Sequence, residues 1–359
     1  MDAKTTEAIA LLQSLIALPS PSRGEEQTAD RLFAFLAEHG AAPERLYNNI
    51  IARSTTFDPA RPTLLLNSHH DTVRPVDSYT RDPYAPTIEG DKLYGLGSND
   101  AGASVVTLAQ TFLTLRDHPL PVNLLLALTA EEECMGEHGI RALLPTLGHI
   151  DCALVGEPTS MQAATGERGL VVLDCQAHGI SGHAARGEGV NALYIALDDI
   201  AQLRTLHFER ESALLGAIGI AVTQIEAGTQ HNVVPDRCHF VVDIRTTDAY
   251  TNEQTIELVR RALHAELTPR STHIRAVALD DNDPLVRAAR GIGRSTFVSP
   301  TTSDRTLMPF PSLKMGPGQS ARSHTADEYV LLSEIAEGLT IYEQFIEQLI
   351  EENGWKTLG

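Results

Sequence analysis

The chain has 359 residues, with 28 lysines and arginines against 47 aspartates and glutamates, a formal net charge of −19. A surface this acidic repels phosphate backbones and anionic lipid, so neither nucleic acid nor a membrane is an expected partner. The length exceeds what one hydrophobic core sustains, and 42% apolar with 21% charged residues is a globular balance, so two domains or a domain with an insertion are expected.

Taken in chain order, the first apolar stretch runs over residues 9–18. Asp2, Lys4 and Glu7 deny it a positive flank, and Gln13 and Ser14 interrupt it. Leu11, Leu15 and Leu18 recur at helical spacing, which predicts a surface helix with one buried stripe rather than a signal peptide. No run approaches the roughly 18–20 apolar residues that cross a bilayer. Helical patterns cover 3–18, 24–39, 101–116 and 136–147, and short apolar runs at 50–52, 64–66, 122–128 and 152–155 read as buried strands. This alternation predicts an α/β layer structure with a largely parallel sheet. Cys134, Cys152, Cys175 and Cys238 stand singly with no CxxC, and Cys152 and Cys175 lie in apolar stretches, which suits a reducing cytoplasm.

The pattern changes near Gly166. Strand 170–177, helix 190–206, strands 217–226 and 237–245, helix 251–266 and strand 272–279 form a β-α-β-β-α-β series, the ferredoxin-like split unit. Asp280, Asp281, Asn282, Asp283 and Pro284 close it with turn chemistry. A helix at 284–290 and apolar runs at 296–298 and 312–315 follow. A long amphipathic helix comes last, opened by Thr325-Ala-Asp-Glu328, which has the pattern of a capping box. The expected architecture is a discontinuous α/β domain, 1–165 plus 281–359, with an α+β domain, 166–280, inserted.

Four strand ends in the α/β parts are followed by residues that ligate metals. His69-His-Asp71 follows 64–68; Glu131, Glu132 and Glu133 follow 122–128; Glu157-Pro158 follows 152–155; His324 follows 313–315 through Gly316-Pro-Gly318. In a parallel sheet these ends share one edge, where open α/β folds place their sites. Asp100 joins them from a glycine-rich loop. Each residue has a plainer role available. Asp100 could cap a helix, the glutamates could complement a helix dipole, and His324 could precede the capping box. Their convergence on one edge favours a site. The His69-x-Asp71 spacing offers a carboxylate to the second ring nitrogen of a ligating histidine. Two histidines with several carboxylates suit two Zn²⁺, or Co²⁺ or Mn²⁺, sharing a carboxylate bridge, with Glu132 and Glu133 dividing ligation from proton handling.

These residues stand in an ordered set. Ser68-His-His-Asp71-Thr-Val, Gly95-Leu-Gly-Ser-Asn-Asp100, Thr129-Ala-Glu-Glu-Glu133, Val155-Gly-Glu157-Pro-Thr and His324-Thr-Ala-Asp-Glu328 occur in that order, with Gly182-His183, Gly189-Val-Asn-Ala192 and Asn232-Val-Val-Pro235 between them. The set resembles the dinuclear zinc amidohydrolases that include acetylornithine deacetylase, succinyl-diaminopimelate desuccinylase, aminoacylases and glutamate carboxypeptidases. The resemblance implies His69 and Glu157 on one zinc, Glu133 and His324 on the other, and Asp100 between them. It further implies Asp71 in support of His69 and Glu132 as general base. It makes the inserted domain a lid and the site of homodimerisation, with His183 reaching the partner subunit's site. Asn232 and Arg245 then bind substrate, the arginine by a bidentate grip on an α-carboxylate. Where the family usually has Asp before the acid pair, this chain has Glu131, and His70 stands where an apolar residue is frequent.

Two local features bear on the substrate, a small N-acyl amino acid. Thr301-Thr-Ser303-Asp304-Arg305 resembles the threonine-serine-aspartate loop of the desuccinylases, which marks Ser303 as a substrate binder. Arg305 would either hold a succinyl carboxylate or form a surface ion pair. Gly316-Pro-Gly with His324-Thr-Ala-Asp-Glu-Tyr-Val resembles the corresponding segment of deacetylases acting on ornithine- or citrulline-type substrates. The expectation is a cytoplasmic N-acyl-ornithine deacylase of arginine biosynthesis, with succinyl-diaminopimelate desuccinylase, N-acetylcitrulline deacetylase and dipeptidase or aminoacylase as alternatives.

Overall fold

Strands Thr63–His69, Asn123–Thr129 and Cys152–Val155 are buried along their whole length, as runs of leucine, alanine and valine without polar alternation require. With Ser312–Lys314 they form the parallel centre of a sheet, in the spatial order 123–129, 63–69, 152–155, 312–314. All four therefore finish on one edge. Antiparallel strands border this centre, Asn49–Arg53 and Glu44–Leu46 on one side and Ala163–Glu167 on the other. Helices Ala3–Ile16, Ala103–Leu115 and Leu332–Glu352 pack together over the sheet's core. The last buries Leu332, Ile335, Leu339, Tyr342, Phe345, Ile346 and Leu349 at three- and four-residue steps, the stripe of an amphipathic helix.

The computed structural model describes residues 1–355. They divide into a first unit of Met1–Thr165, Leu279–Phe297 and 303–355, and a second of Gly166–Ala278 and Val298–Thr302. The second unit holds strand Gly169–His178, helix Ala192–Thr205, strands Gly219–Ala227 and Arg237–Thr246, helix Asn252–Ala262 and strand Glu266–Pro269. Its four strands are antiparallel, in the order 219–227, 237–246, 169–178, 266–269, which is the ferredoxin-like arrangement. Both helices bury one face in a separate core with Leu173, Cys175, Phe240 and Val242.

Three local expectations are corrected. The fourth strand of the inserted series lies at Glu266–Pro269, not 272–279, because the preceding helix stops at Ala262 and leaves Leu267 to pair with Cys175. Of the expected helix at 136–147, only Ile140–Leu143 and one 3₁₀ turn form. Residues 131–136 fold back on themselves, with Glu131 and Met135 at positive φ and the Gly136 N–H donating to the Glu131 carbonyl at 2.9 Å. Finally, Thr325–Glu328 caps no helix. The long helix begins at Leu332, after a short strand Tyr329–Leu331 that pairs with Lys92–Tyr94.

Candidate metal centre

The shared edge of the parallel strands brings together the ligand types read from the sequence. His69, the last residue of its strand, is buried, and its Nε2 lies 3.3 Å from Asp100 Oδ1, 3.6 Å from Glu157 Oε1 and 3.9 Å from Glu132 Oε2. The second Asp100 oxygen is 3.5 Å from His324 Nε2, which also stands 3.0 Å from Glu133 Oε2. Asp100 thus turns one oxygen toward each histidine. Donor atoms of His69, Glu132 and Glu157 lie within 4.8 Å of one another, as do those of His69, Asp100 and Glu133.

Backbone conformation accounts for these positions. Gly97 takes φ 74°, and a Cβ there would stand 2.5 Å from Thr72 Cγ2, so only glycine allows the loop to turn Asp100 inward. A Cβ on Gly316 would stand 2.6 Å from the Glu157 carbonyl oxygen, so the two strand ends approach because that side chain is missing.

The three glutamates diverge. Glu131 turns away, accepting the His138 N–H at 3.2 Å, while Glu132 faces His69 and Glu133 faces His324. Asp71 holds the second and third in place. Its Oδ1 accepts the Glu132 N–H at 3.0 Å, and its Oδ2 accepts the Glu133 N–H at 3.1 Å and the Ser22 hydroxyl at 2.7 Å. Its carboxylate is 3.4 Å from His69 Nδ1, whose nearer partner is the Asp71 carbonyl oxygen at 3.0 Å. His70 points elsewhere, with Nδ1 2.9 Å from the Thr28 hydroxyl and Nε2 2.9 Å from the Asn48 carbonyl. Burial drives its pKa down to about 4, so it is a neutral structural histidine.

The site concentrates buried negative charge. Burial opposes charge on His69, but the carboxylates of Glu132, Asp100, Asp71 and Glu157 outweigh it and raise its pKa well above the usual range. Burial, followed by the charges of Glu157, Asp304 and Glu133, raises Glu132 well above the carboxylate range. His324 is pushed up to about 9, chiefly by its bond to Glu133. Carboxylates packed this closely away from water need a positive counter-charge. Mixed imidazole and carboxylate donors, with Asp100 offering an oxygen to each side, fit a pair of divalent cations.

Ser303 is buried, its carbonyl accepting the N–H and hydroxyl of Thr306. Arg305 is not exposed. Fully buried, it donates to the carbonyls of Ala164 at 2.6 Å and Ser312 at 2.5 Å. In the second unit, His183 and Asn232 are exposed and adjacent. His183 pairs with Val233, and the Ala184 N–H donates to the Asn232 carbonyl at 3.1 Å. Arg245 lies near the far end of strand Arg237–Thr246, with its Nε 2.8 Å from Asp243 Oδ1.

Two supporting residues lie outside the expected ligand motifs. Ser22 is remote in sequence from Asp71, which it holds. Asp304, buried and bonded by the Thr129 hydroxyl at 2.7 Å, is pushed up to about 7, mainly by burial.

A profile of the family described as Peptidase family M20/M25/M40 matches residues 65–348. Succinyl-diaminopimelate desuccinylase of Rhizorhabdus wittichii is 28% identical over 97% of this chain and 99% of its own, and acetylornithine deacetylase of Edwardsiella ictaluri is 27% identical over 96% and 98%. Among solved structures, aminopeptidase PepT from Bacillus cereus matches with TM-score 0.77 and 18% identity, over 96% of this chain and 98% of its own. A dinuclear metal-binding peptidase from Bacillus subtilis matches with TM-score 0.71 and 16% identity, over 98% and 99%. At those identities the structures speak for the fold alone.

Proposed function

We propose a substrate for a chain that belongs to peptidase family M20/M25/M40 and is an amidohydrolase: the N-acylated α-amine of ornithine, from which it releases acetate in arginine biosynthesis. The observation that carries the acetyl reading is the burial of Arg305. A succinyl substrate brings a second carboxylate, and the one cation of the 301–305 loop already donates to backbone carbonyls inside the first unit. The acetylornithine deacetylase matched over nearly the whole chain supports the ornithine half.

The proposed ligands are His69 and Glu157 for one Zn²⁺, Glu133 and His324 for the other, and Asp100 for both. Bound divalent cations lower the pKa of water and polarise an amide carbonyl. Glu132 takes a proton from the attacking water and returns it to the departing amine nitrogen. Asp71 keeps Glu132 and Glu133 aimed by holding their backbone N–H groups. In the second unit, His183 Nδ1 accepts the Ala185 N–H at 3.2 Å. That contact leaves the proton on Nε2, the tautomer able to donate to a developing oxyanion. Asn232 and Arg245 serve as the proposed substrate binders of that unit, and Ser303 as one of the first.

A homodimer through the second unit is part of this reading. Strand Gly219–Ala227 is an open sheet edge carrying exposed Ile225, and the neighbouring helix exposes Tyr194 and Leu197. His183→Ala is expected to lower kcat at least tenfold with the dimer intact by light scattering. Wild-type turnover would remove His183 from the mechanism. No helix among the described residues is long and apolar enough to cross a membrane, and a cytoplasmic location is proposed from the reduced cysteines.

The second reading, succinyl-diaminopimelate desuccinylase, is favoured by the Rhizorhabdus wittichii relative. Amine release by the zinc-loaded protein, offered N-acetylornithine, N-succinylornithine, N-acetylcitrulline and N-succinyl-diaminopimelate side by side, separates them. Preference for an N-acetylornithine substrate supports the proposal. Preference for the diaminopimelate derivative moves the enzyme to lysine biosynthesis, and a succinyl preference on ornithine removes the argument from Arg305.

A further inference from the structure

The turn that carries His324 and the loop that carries Asp100 are tied together by one buried carboxylate. Glu328 is 2% exposed. Its Oε1 accepts the N–H groups of Asn99 at 2.8 Å and Asp100 at 2.9 Å, and its Oε2 accepts that of Gly97 at 3.1 Å. Its own carbonyl accepts the Gly95 N–H at 3.0 Å. A second tie runs beside the first, where Asn99 Oδ1 accepts the Gln319 N–H at 2.9 Å and Asn99 Nδ2 donates to the Gln319 carbonyl at 3.1 Å.

This arrangement has a geometric consequence. The Asp100 side chain places its two oxygens between His69 and His324, and its backbone N–H is anchored by a residue four positions beyond His324 in the chain. One carboxylate therefore ties the Asp100 backbone to the turn that carries His324. The loop has irregular backbone, with Asp100 at φ −118° and ψ 97°, and has no helical bonding of its own to hold these N–H groups.

We infer that Glu328 is a positioning residue of the dinuclear centre, holding Asp100 where it can serve both metals and so setting the affinity of the second cation. The inference rests on the proposed ligand set and adds to it a residue that touches neither metal. A purely structural role would lower stability alone. A positioning role lowers the second binding step beyond any change in stability, because an outer partner of a ligand commonly contributes ten- to a hundredfold in metal affinity.

Glu328→Gln separates the two. The amide offers one accepting oxygen and turns a donor toward at least one loop N–H. Zn²⁺ is titrated into metal-free protein against a chromophoric chelator, and thermal unfolding of the same metal-free samples is followed by circular dichroism. Asp327→Asn is the control, since Asp327 lies in the same turn but holds Thr80 and Arg81. The expected result is a first Zn²⁺ within threefold of wild type and a second weakened by about ten- to a hundredfold, with an unfolding midpoint close to that of the control. If Glu328→Gln does not fold, Glu328→Asp, whose shorter carboxylate cannot span all three N–H groups, is expected to weaken the second step alone. An unchanged second step in a folded variant overturns the inference. So does a uniform weakening of both steps that the control reproduces. Wild-type protein that binds fewer than two Zn²⁺ overturns the dinuclear reading itself.

Discussion

Glu132→Gln is expected to lower kcat by about a thousandfold while the protein still binds two Zn²⁺ with near wild-type affinity. The carboxylate is buried, its Oε2 is 3.9 Å from His69 Nε2, and its backbone is fixed by Asp71. Burial and the charges of Glu157, Asp304 and Glu133 raise its affinity for a proton, which suits a group that must take one and pass it on. Glutamine keeps the shape and removes that capacity. The same geometry admits a second assignment, because Glu132 shares a 4.8 Å cluster with His69 and Glu157. Were Glu132 a ligand instead, the loss would appear in Zn²⁺ affinity. Turnover and chelator competition measured on one preparation decide between them. A kcat within tenfold of wild type would remove Glu132 as the base.

Asp71→Asn should produce the next largest effect, a fall of roughly ten- to a hundredfold in both kcat and metal affinity with KM little changed. One carboxylate accepts the N–H groups of Glu132 and Glu133 and the hydroxyl of Ser22, beside the His69 ring. An asparagine amide keeps one acceptor and presents a donor where Oδ1 or Oδ2 now accepts. At least one buried N–H then loses its partner, at a cost of about 1–3 kcal/mol, and the adjacent glutamates lose their aim. The expected signature is a lower unfolding midpoint together with weaker Zn²⁺ binding. A destabilised protein with full activity and full Zn²⁺ affinity would reduce Asp71 to a structural role.

The clustering of His69, Glu132, Glu133 and Glu157 was legible because its determinants are local. Apolar runs such as 64–66 and 152–155 read as buried strands, and parallel strands end on a common edge, which brings His69, Glu157 and the glutamates after 122–128 together. The β-α-β-β-α-β series was legible for the same reason, through its periodicity. What escaped depends on distant partners. Thr325–Glu328 has the spacing of a capping box, yet Asp327 bonds Thr80 and Glu328 bonds the 97–100 loop, more than two hundred positions away in sequence. No propensity anticipates that. Arg305 illustrates the opposite error, since a guanidinium in a polar loop predicts exposure, while three carbonyl oxygens of a sheet margin make burial tolerable. The helix expected over 136–147 failed because Glu131 turned toward His138 and drew the chain into tight turns.

The inserted segment begins and ends as a pair of neighbours: Gly166 faces Ala278 and Glu167 faces Val277 in antiparallel register. For folding, this shortens the chain in effect. Once those strands zip together, residue 165 and residue 279 are only a few ångströms of backbone apart, and the loop between them no longer contributes closure entropy to every later contact. Helices such as Leu332–Glu352 can then find Ala103–Leu115 as if the intervening residues were a short hairpin, which lowers the effective contact order of a discontinuous unit. The same closure explains how so long an interruption can be carried, or lengthened, without disturbing the register of the metal-bearing sheet. An order of assembly follows, in which the segment 166–278 acquires exchange-protected amides before the sheet strand Ser312–Lys314 does.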